Sequence, residues 1–350
     1  MAIVIDKTKK SDPVDRMKSG PCIFGPVPSR RLGRSLGVDV VPFKTCTFDC
    51  IYCQLGRTTN KTTERREWVP LKRILEDLRG KLPLEPDYIT IAGSGEPTLY
   101  SRIGDLIAEI HAITEIPVAV LTNGSLLWDD AVRSELLKAD VVLPSLDVGS
   151  KTLFQVVNRP HPAIDFDRLI EGLIAFRCQF HGLYWLEVLL LCGYTAIEAE
   201  VKKIANRAAE IKPNEVHLNT CIRPPVEEYA YAVDWRRLVQ LADLFSPPAE
   251  VITDSQPGVI RTIASGDSEA ILQLLRRRPC TASDIAASLG IAPSEAVKNI
   301  ESLMLQGFAE ARKGNGRGVY YTASRPRIMT KRSRTTTMDE AESRKGVAWR

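Results

Sequence analysis

Cys46-Thr-Phe-Asp-Cys50-Ile-Tyr-Cys53 is the stretch on which the reading of this chain turns. Three thiols at CxxxCxxC spacing can ligate three irons of a [4Fe–4S] cluster and leave the fourth iron open to a small molecule. Electron-transfer ferredoxins give each cluster four cysteine ligands, so three plus an open corner points to chemistry at the metal. The alternatives are a zinc site or a group of packed, reduced thiols. Zinc asks for four ligands, and no further Cys or His lies within twenty residues on either side of the triplet.

Outward from the triplet, from Gly37 to Thr220, short apolar runs alternate with amphipathic stretches, the pattern of repeated βα units on a parallel sheet. Gly37–Val41 reads as the first strand. Tyr88–Ile91, Val118–Leu121, Val141–Leu143, Leu186–Leu191 and Val216–Leu218 read as the next five. Helices are expected over Leu71–Leu78, Ile103–Ile113, Ala131–Leu137, Phe166–Phe176 and Ile197–Ile211. Periodicity alone does not separate a partial barrel from a doubly wound sheet. In parallel barrels the site forms where the loops after successive strands converge. Those loops hold, in order, the cysteines, Gly93-Ser94-Gly95-Glu96-Pro97, Thr122-Asn123-Gly124, Ser145-Leu146-Asp147 and Asn219-Thr-Cys221-Ile-Arg223-Pro224-Pro225. Glycines at such a place let the backbone approach a ligand closely.

Cys46, Cys50 and Cys53, with Tyr52 as the aromatic of the last half, resemble the signature of the radical S-adenosylmethionine (SAM) superfamily. The resemblance implies an open (β/α)6 partial barrel and a [4Fe–4S] cluster whose open iron chelates SAM. One electron then cleaves the sulfonium, and a 5′-deoxyadenosyl radical takes a hydrogen atom from substrate. By the same resemblance Gly93, Gly95 and Glu96 match the superfamily's Gly-Gly-Glu-Pro element, with Ser94 inserted, and hold the SAM amino group. Ser145 and Asp147 lie near the ribose and methionine moiety, Tyr52 belongs to the cofactor side, and Asn123 faces the substrate or caps the helix that follows. Gly25–Gly37, Gln54-Leu-Gly56 and the segment after the sixth strand sharpen the likeness over residues 22–225. They are similar to the Fe–S oxidoreductase branch grouped with wyosine-base formation enzymes of tRNA. The tRNA enzyme carries additional N-terminal cysteines for a second cluster, whereas this chain has only Cys22 before Cys46.

Arg30, Arg31 and Arg34 form a dense basic group that either engages a phosphate or carboxylate through forked guanidinium donors or is pinned as a surface loop. Arg159, after the fourth strand, is a similar substrate-side candidate. Cys22, Cys178, Cys192, Cys221 and Cys280 lack ligand spacing and read as packed thiols, with Cys221 close to the barrel mouth.

The chain has 350 residues, 44% of them hydrophobic, enough for one large core and a small satellite. Eight unevenly placed cysteines do not make a disulfide scaffold, and Met1–Gly20 resembles neither a signal peptide nor a membrane span, so a soluble cytoplasmic protein is expected. Net charge is +4, yet residues 324–350 hold eight Lys/Arg against three Asp/Glu, so the basic excess sits in a Ser/Thr-rich tail expected to be disordered.

The domain reading is an extension over 1–21, a barrel over 22–246, a Pro/Gly-rich linker over 247–266, a small domain over 267–323 and the tail. In the small domain Ile271, Leu274 and Leu275 stripe one helix. Thr281 with Asp284 caps a second. Val297, Ile300, Leu303 and Met304 stripe a third, and Ala309–Thr322 reads as a hairpin with a glycine-rich tip. This resembles a winged helix-turn-helix. It would offer Lys298, Arg312, Lys313 and Arg317 to nucleic acid, or else dock a protein. Two functions follow: a radical SAM enzyme fed by a low-potential flavodoxin- or ferredoxin-like donor, with an unidentified substrate that includes RNA or a nucleotide among its candidates, or a cluster-based redox regulator that binds nucleic acid.

Overall fold

A computed structural model describes residues 22–252, 268–314 and 319–324. The N-terminal extension, most of the linker, Arg317 and the basic tail lie outside the described residues.

The chain opens with β1 (Ile23–Ser29), which turns through Arg30–Leu32 into β2 (Gly33–Val38) and pairs with it antiparallel. A short ladder of β3 (Thr45–Cys46) and β4 (Asn60–Lys61) then pins the two ends of the cysteine loop together. Next come α1 (Leu71–Arg79), β5 (Tyr88–Ile91), α2 (Ile103–Ile113), β6 (Val118–Thr122), α3 (Asp130–Leu136) and β7 (Val141–Pro144). A short helix over Lys151–Leu153 widens into a π turn over Phe154–Asn158. The alternation continues with α4 (Phe166–Gln179), β8 (Leu183–Leu190), α5 (Glu198–Ile211), β9 (Glu215–Thr220), α6 (Trp235–Ala242) and β10 (Glu250–Val251).

One sheet runs β1-β2-β5-β6-β7-β8-β9-β10, parallel throughout except at β1. Every crossover between neighbours passes through helix, as parallel pairing requires. The six expected parallel strands are therefore present, as an α/β partial barrel, with β1 and β10 added at its edges. Side chains alternate along each strand. Leu36, Ile89, Ile91, Val118, Val120, Val142, Leu186, Val188 and Leu218 face the helices in the main core, while Ala119, Val141 and Leu143 form a smaller cluster on the opposite face. Helices meet that core with single stripes, as with Ile74, Leu75 and Leu78 of α1. Asp129 and Asp165 cap α3 and α4 by accepting from the backbone of Ala131 and Asp167.

The first strand departs from its expected bounds. It begins at Gly33 rather than Gly37, because its inward positions are Ser35 and Gly37 and the alternation there looks polar. β1, β10 and α6 were not anticipated at all.

Beyond residue 267 a second core gathers Ile271, Leu275, Ile285, Ile300 and Leu303 from α7 (Ser268–Arg277), α8 (Ala282–Leu289) and α9 (Pro293–Leu305), with Cys280 between the first two. The hairpin of β11 (Ala309–Lys313) and β12 (Val319–Ala323) closes it. The capping box at Thr281 and Asp284 is formed in both directions. Val297 and Met304 are not part of this core but exposed, and Ala296 takes the buried position on α9 instead. None of the helices is long and apolar enough to cross a membrane among the described residues.

Candidate active site at the open end of the barrel

A cavity of about 1270 Å³ opens at the C-terminal ends of the strands, lined by Cys46, Cys50, Cys53, Gly93, Gly95, Glu96, Asn123, Ser145 and Asn219. The strand-end loops therefore converge as the sequence implies, and all three cysteines reach the same space.

The cysteine loop is held from both sides. Ile51 N donates to Val157 O at 2.9 Å and Asp49 N to Asn158 O at 3.1 Å, which moors it to the π turn. On the other side Glu96 N donates to Thr45 O at 3.1 Å. Backbone meets backbone here so closely that a Cβ on Gly95 would run into the Thr45 carbonyl. Gly93 combines φ +126° with a close approach to the Asp39 carboxyl, so neither position tolerates a side chain.

Each cysteine sulfur has a side-chain nitrogen donor. Asn123 Nδ2 lies 3.6 Å from Cys46 Sγ, Asn158 Nδ2 lies 3.6 Å from Cys50 Sγ, and Lys44 Nζ lies 3.0 Å from Cys53 Sγ. Lys44 is buried at 3% exposure, at φ +60°, and its ammonium has that sulfur as its hydrogen-bond partner. A buried ammonium is stable only against negative charge, so the geometry presupposes an anionic group at Cys53. Burial pushes the Cys46 thiol up to about 12 and lifts Cys50 well above the ordinary thiol range, so thiolates there call for a metal to take their charge.

The acidic residues of the site are fastened to protein. Glu96 accepts at Oε1 from Thr98 N (3.1 Å), Thr98 Oγ1 (2.7 Å) and Thr122 Oγ1 (2.6 Å), and at Oε2 from Asn123 N (2.8 Å). Asp147 accepts from the Tyr52 hydroxyl, from Asn158 Nδ2 at 2.9 Å and from Leu189 N at 3.1 Å. Burial raises the pKa of both carboxyls, opposed by these donors, and raises that of the Tyr52 phenol as well. Glu96 thus ties β5 to β6, and Asp147 ties the cysteine loop to β8. Ser145, by contrast, lines the cavity with its hydroxyl unpartnered among the described residues.

Several expectations need correcting. Asn123 lines the cavity beside Cys46, donates to Thr47 Oγ1 at 2.7 Å and accepts from Ser125 N at 3.0 Å, so it also braces the cysteine loop. Arg159 does not line the cavity, because its guanidinium donates to Glu227 at 2.6 Å and to the Tyr229 hydroxyl at 2.7 Å. Arg30, Arg31 and Arg34 all line the cavity; Arg31 is ion-paired there with Glu187 of β8, and Arg34 donates to the carbonyls of Leu84 and Glu85. Cys178 and Cys192 are exposed rather than packed, while Cys22, Cys221 and Cys280 are buried.

Residues that the sequence did not single out complete the site. Ser94, the residue inserted into the glycine motif, donates from its backbone N at 3.1 Å and from its hydroxyl to Asp39, which is buried at 5% exposure. Asp39 in turn pairs at 3.1 Å with Arg277 of α7, whose guanidinium lies 4.3 Å over the Phe24 ring. The C-terminal helices are therefore fastened to the glycine loop, and Arg278, Thr281, Asp284, Ser288 and Tyr320 line the same cavity as the cysteines. Asp39 and Arg277 stand 238 residues apart, and no local pattern links them.

Comparison with known proteins agrees with this geometry. Residues 40–208 match the model of the Radical SAM superfamily. A protein of Brachyspira hyodysenteriae named GTPase Obg is 39% identical over 84% of this chain, which spans 44% of it. A UPF0026 protein of Methanocaldococcus jannaschii is 42% identical over 59% of this chain and 65% of its own length. One from Helicobacter pylori is 33% identical over 81% of this chain and 92% of its own. The chain belongs to the UPF0026 family, and its barrel carries the Radical SAM domain. It spans about half to two thirds of the first two of these relatives. Enzymes of the Radical SAM superfamily use a [4Fe–4S] cluster and SAM, and the site described above is of that type: three cysteines around an open cavity, with no substrate specified.

Proposed function

We propose that this radical SAM enzyme holds a [4Fe–4S] cluster on Cys46, Cys50 and Cys53 and binds SAM in the cavity beside it. The observation that carries the reading is the buried Lys44 ammonium on Cys53, joined by one amide donor at each of the other two sulfurs. When bound, the cluster supplies one electron, delivered by a low-potential flavodoxin- or ferredoxin-like donor, that splits SAM into methionine and a 5′-deoxyadenosyl radical able to take a hydrogen atom from substrate. The chain's own part is placement and exclusion. Gly93 and Gly95 give the SAM ammonium a close backbone approach, Ser145 offers a hydroxyl, and Tyr52 forms the wall between SAM and the cysteine loop. Glu96 and Asp147 act through the loops they fasten. Lys44, Asn123 and Asn158 orient the ligands and offset their charge.

Residues 267–323 have the helix and hairpin order of a winged helix. Their placement against the cavity favours a docking role, as a wall of the site, over use as an independent nucleic-acid reader. The same cavity favours an enzyme over a redox regulator, and it leaves the wyosine reaction without specific support.

The test is anaerobic reconstitution, followed by iron and sulfide analysis and by chromatography of SAM products after addition of a low-potential reductant. About four iron and four sulfide per chain, with 5′-deoxyadenosine released, is the expected result. A stable single-metal site with no SAM cleavage would overturn the reading.

A further inference from the structure

Arg223, in the loop after β9, lines the cavity with an Nε that is buried and has no hydrogen-bond partner, while its Nη1 is held at 3.3 Å by Gln54 Oε1 in the loop that follows Cys53. Just past the end of α7, Arg278 lines the same cavity and makes no side-chain ion pair among the described residues. Burial first, and then the Arg278 charge, lower the Arg223 pKa from the ordinary arginine range. Asp284 is the acid that acts on Arg223 from the facing helix, and it is already committed to the Thr281 backbone at 2.9 Å in the α8 capping box. One further buried donor, Ser288 Oγ of α8, faces the same cavity without a partner. Two cations and an unsatisfied hydroxyl around one half-capped carboxylate leave more donors than the protein uses. Buried polar groups are rarely left so, which marks a place that a ligand completes.

We propose that Arg223 and Arg278 form an anion subsite, across the line where the barrel meets the C-terminal helices, for a phosphoryl group on the small-molecule substrate. Guanidinium forks suit phosphoryl oxygens, and the donors exceed what the two oxygens of one carboxylate take up. Residues of both cores line the cavity, and a phosphorylated metabolite is the occupant we assign to it. The inference rests on the proposed function only for the word substrate, since the anion site needs neither cluster nor SAM.

The experiment is calorimetric titration of the apo full-length chain with inorganic phosphate and pyrophosphate, beside Arg223→Gln, Arg278→Gln and the double variant. One site per chain is expected, weakened about tenfold or more by either substitution, as loss of a charge-assisted hydrogen bond implies. The double variant should abolish binding. Phosphate binding equal in all variants, or none in the parent chain, would overturn the proposal. So would competition between SAM and phosphate for the site, which would assign the arginines to SAM, or tighter binding of an RNA oligonucleotide sensitive to the same substitutions. If Arg223→Gln failed to fold, Arg278→Gln and the parent chain would still decide.

Discussion

The two sides of the cavity are finished to different degrees. On the cysteine side every buried charge has partners: Asp147 has three donors, Glu96 four, and Lys44 a sulfur. Where the loop after β9 meets the C-terminal helices, Arg223 keeps a buried Nε unpartnered and Ser288 of α8 a buried hydroxyl. A wall satisfied in advance is rigid and loses little on binding its cofactor, whereas a wall with spare donors is destabilised until a ligand arrives. The first suits a resident group, the second a molecule that comes and goes.

The sharpest way to break this contrast is at the cysteines. Changing Cys46, Cys50 or Cys53 to Ala should remove the cluster and SAM cleavage together, read as loss of iron, sulfide and 5′-deoxyadenosine after anaerobic reconstitution. Retention of a full cluster in any of the three would detach the finished wall from its assigned purpose.

Stability provides the next test, because the two walls should respond with opposite sign. Asp39→Ala strips Arg277 of its buried partner and Ser94 of its acceptor, at a cost of about 3–5 kcal/mol. Asp147→Ala leaves three donors short of an acceptor, each worth roughly 1–3 kcal/mol when buried. Arg223→Met, of similar length and without the charge, should leave the denaturant midpoint unchanged or raise it. Destabilisation of the apo chain by Arg223→Met as large as that by Asp39→Ala would erase the distinction.

A smaller effect sits at the sulfurs. Donors to ligand sulfur stabilise the reduced, more negative cluster, so Lys44→Met and Asn158→Ala should each lower its reduction potential, on the order of tens of millivolts, with Lys44 the larger because it also removes a charge. A titration followed by electron paramagnetic resonance reads this directly. Identical potentials in all three proteins would show that the contacts vanish when the cluster binds.

How much of this was legible in the sequence depends on whether the information was local. The cysteine triplet, the strand-end motifs, the Thr281–Asp284 capping box and five of the six parallel strands all announce themselves within a few residues. The sixth, β2, was legible only from Gly37 onward, because a strand that borders a cavity places Ser35 and Gly37 where the alternation should be apolar. Asp147 and Glu96 were legible as site residues but not as braces. Their roles depend on Tyr52, Asn158, Leu189, Thr98 and Thr122, which only the folded chain brings to them. Lys44 carries no local signal, and only its burial against Cys53 distinguishes it. Arg277 and Arg278 carry none either, and their meaning depends on contacts between segments far apart in the chain.

The smallest expected effect concerns the outer face of the C-terminal helices, where the winged-helix resemblance places a nucleic-acid contact. Arg312 is ion-paired with Glu310 of its own strand at 2.6 Å, and Lys298 and Lys313 are exposed. If residues 267–323 serve the cavity as a wall, Lys298→Ala and Arg312→Ala should each change stability by no more than about 0.5 kcal/mol and leave SAM cleavage intact. Neither should flatten the salt dependence of any binding to RNA by the roughly one unit per lost phosphate contact that a nucleic-acid face requires. Filter binding across a salt series measures that slope. A drop of that size in either variant would make the outer face a reader in its own right, and the C-terminal helices would then have two working surfaces where the contrast between the walls assigns them one.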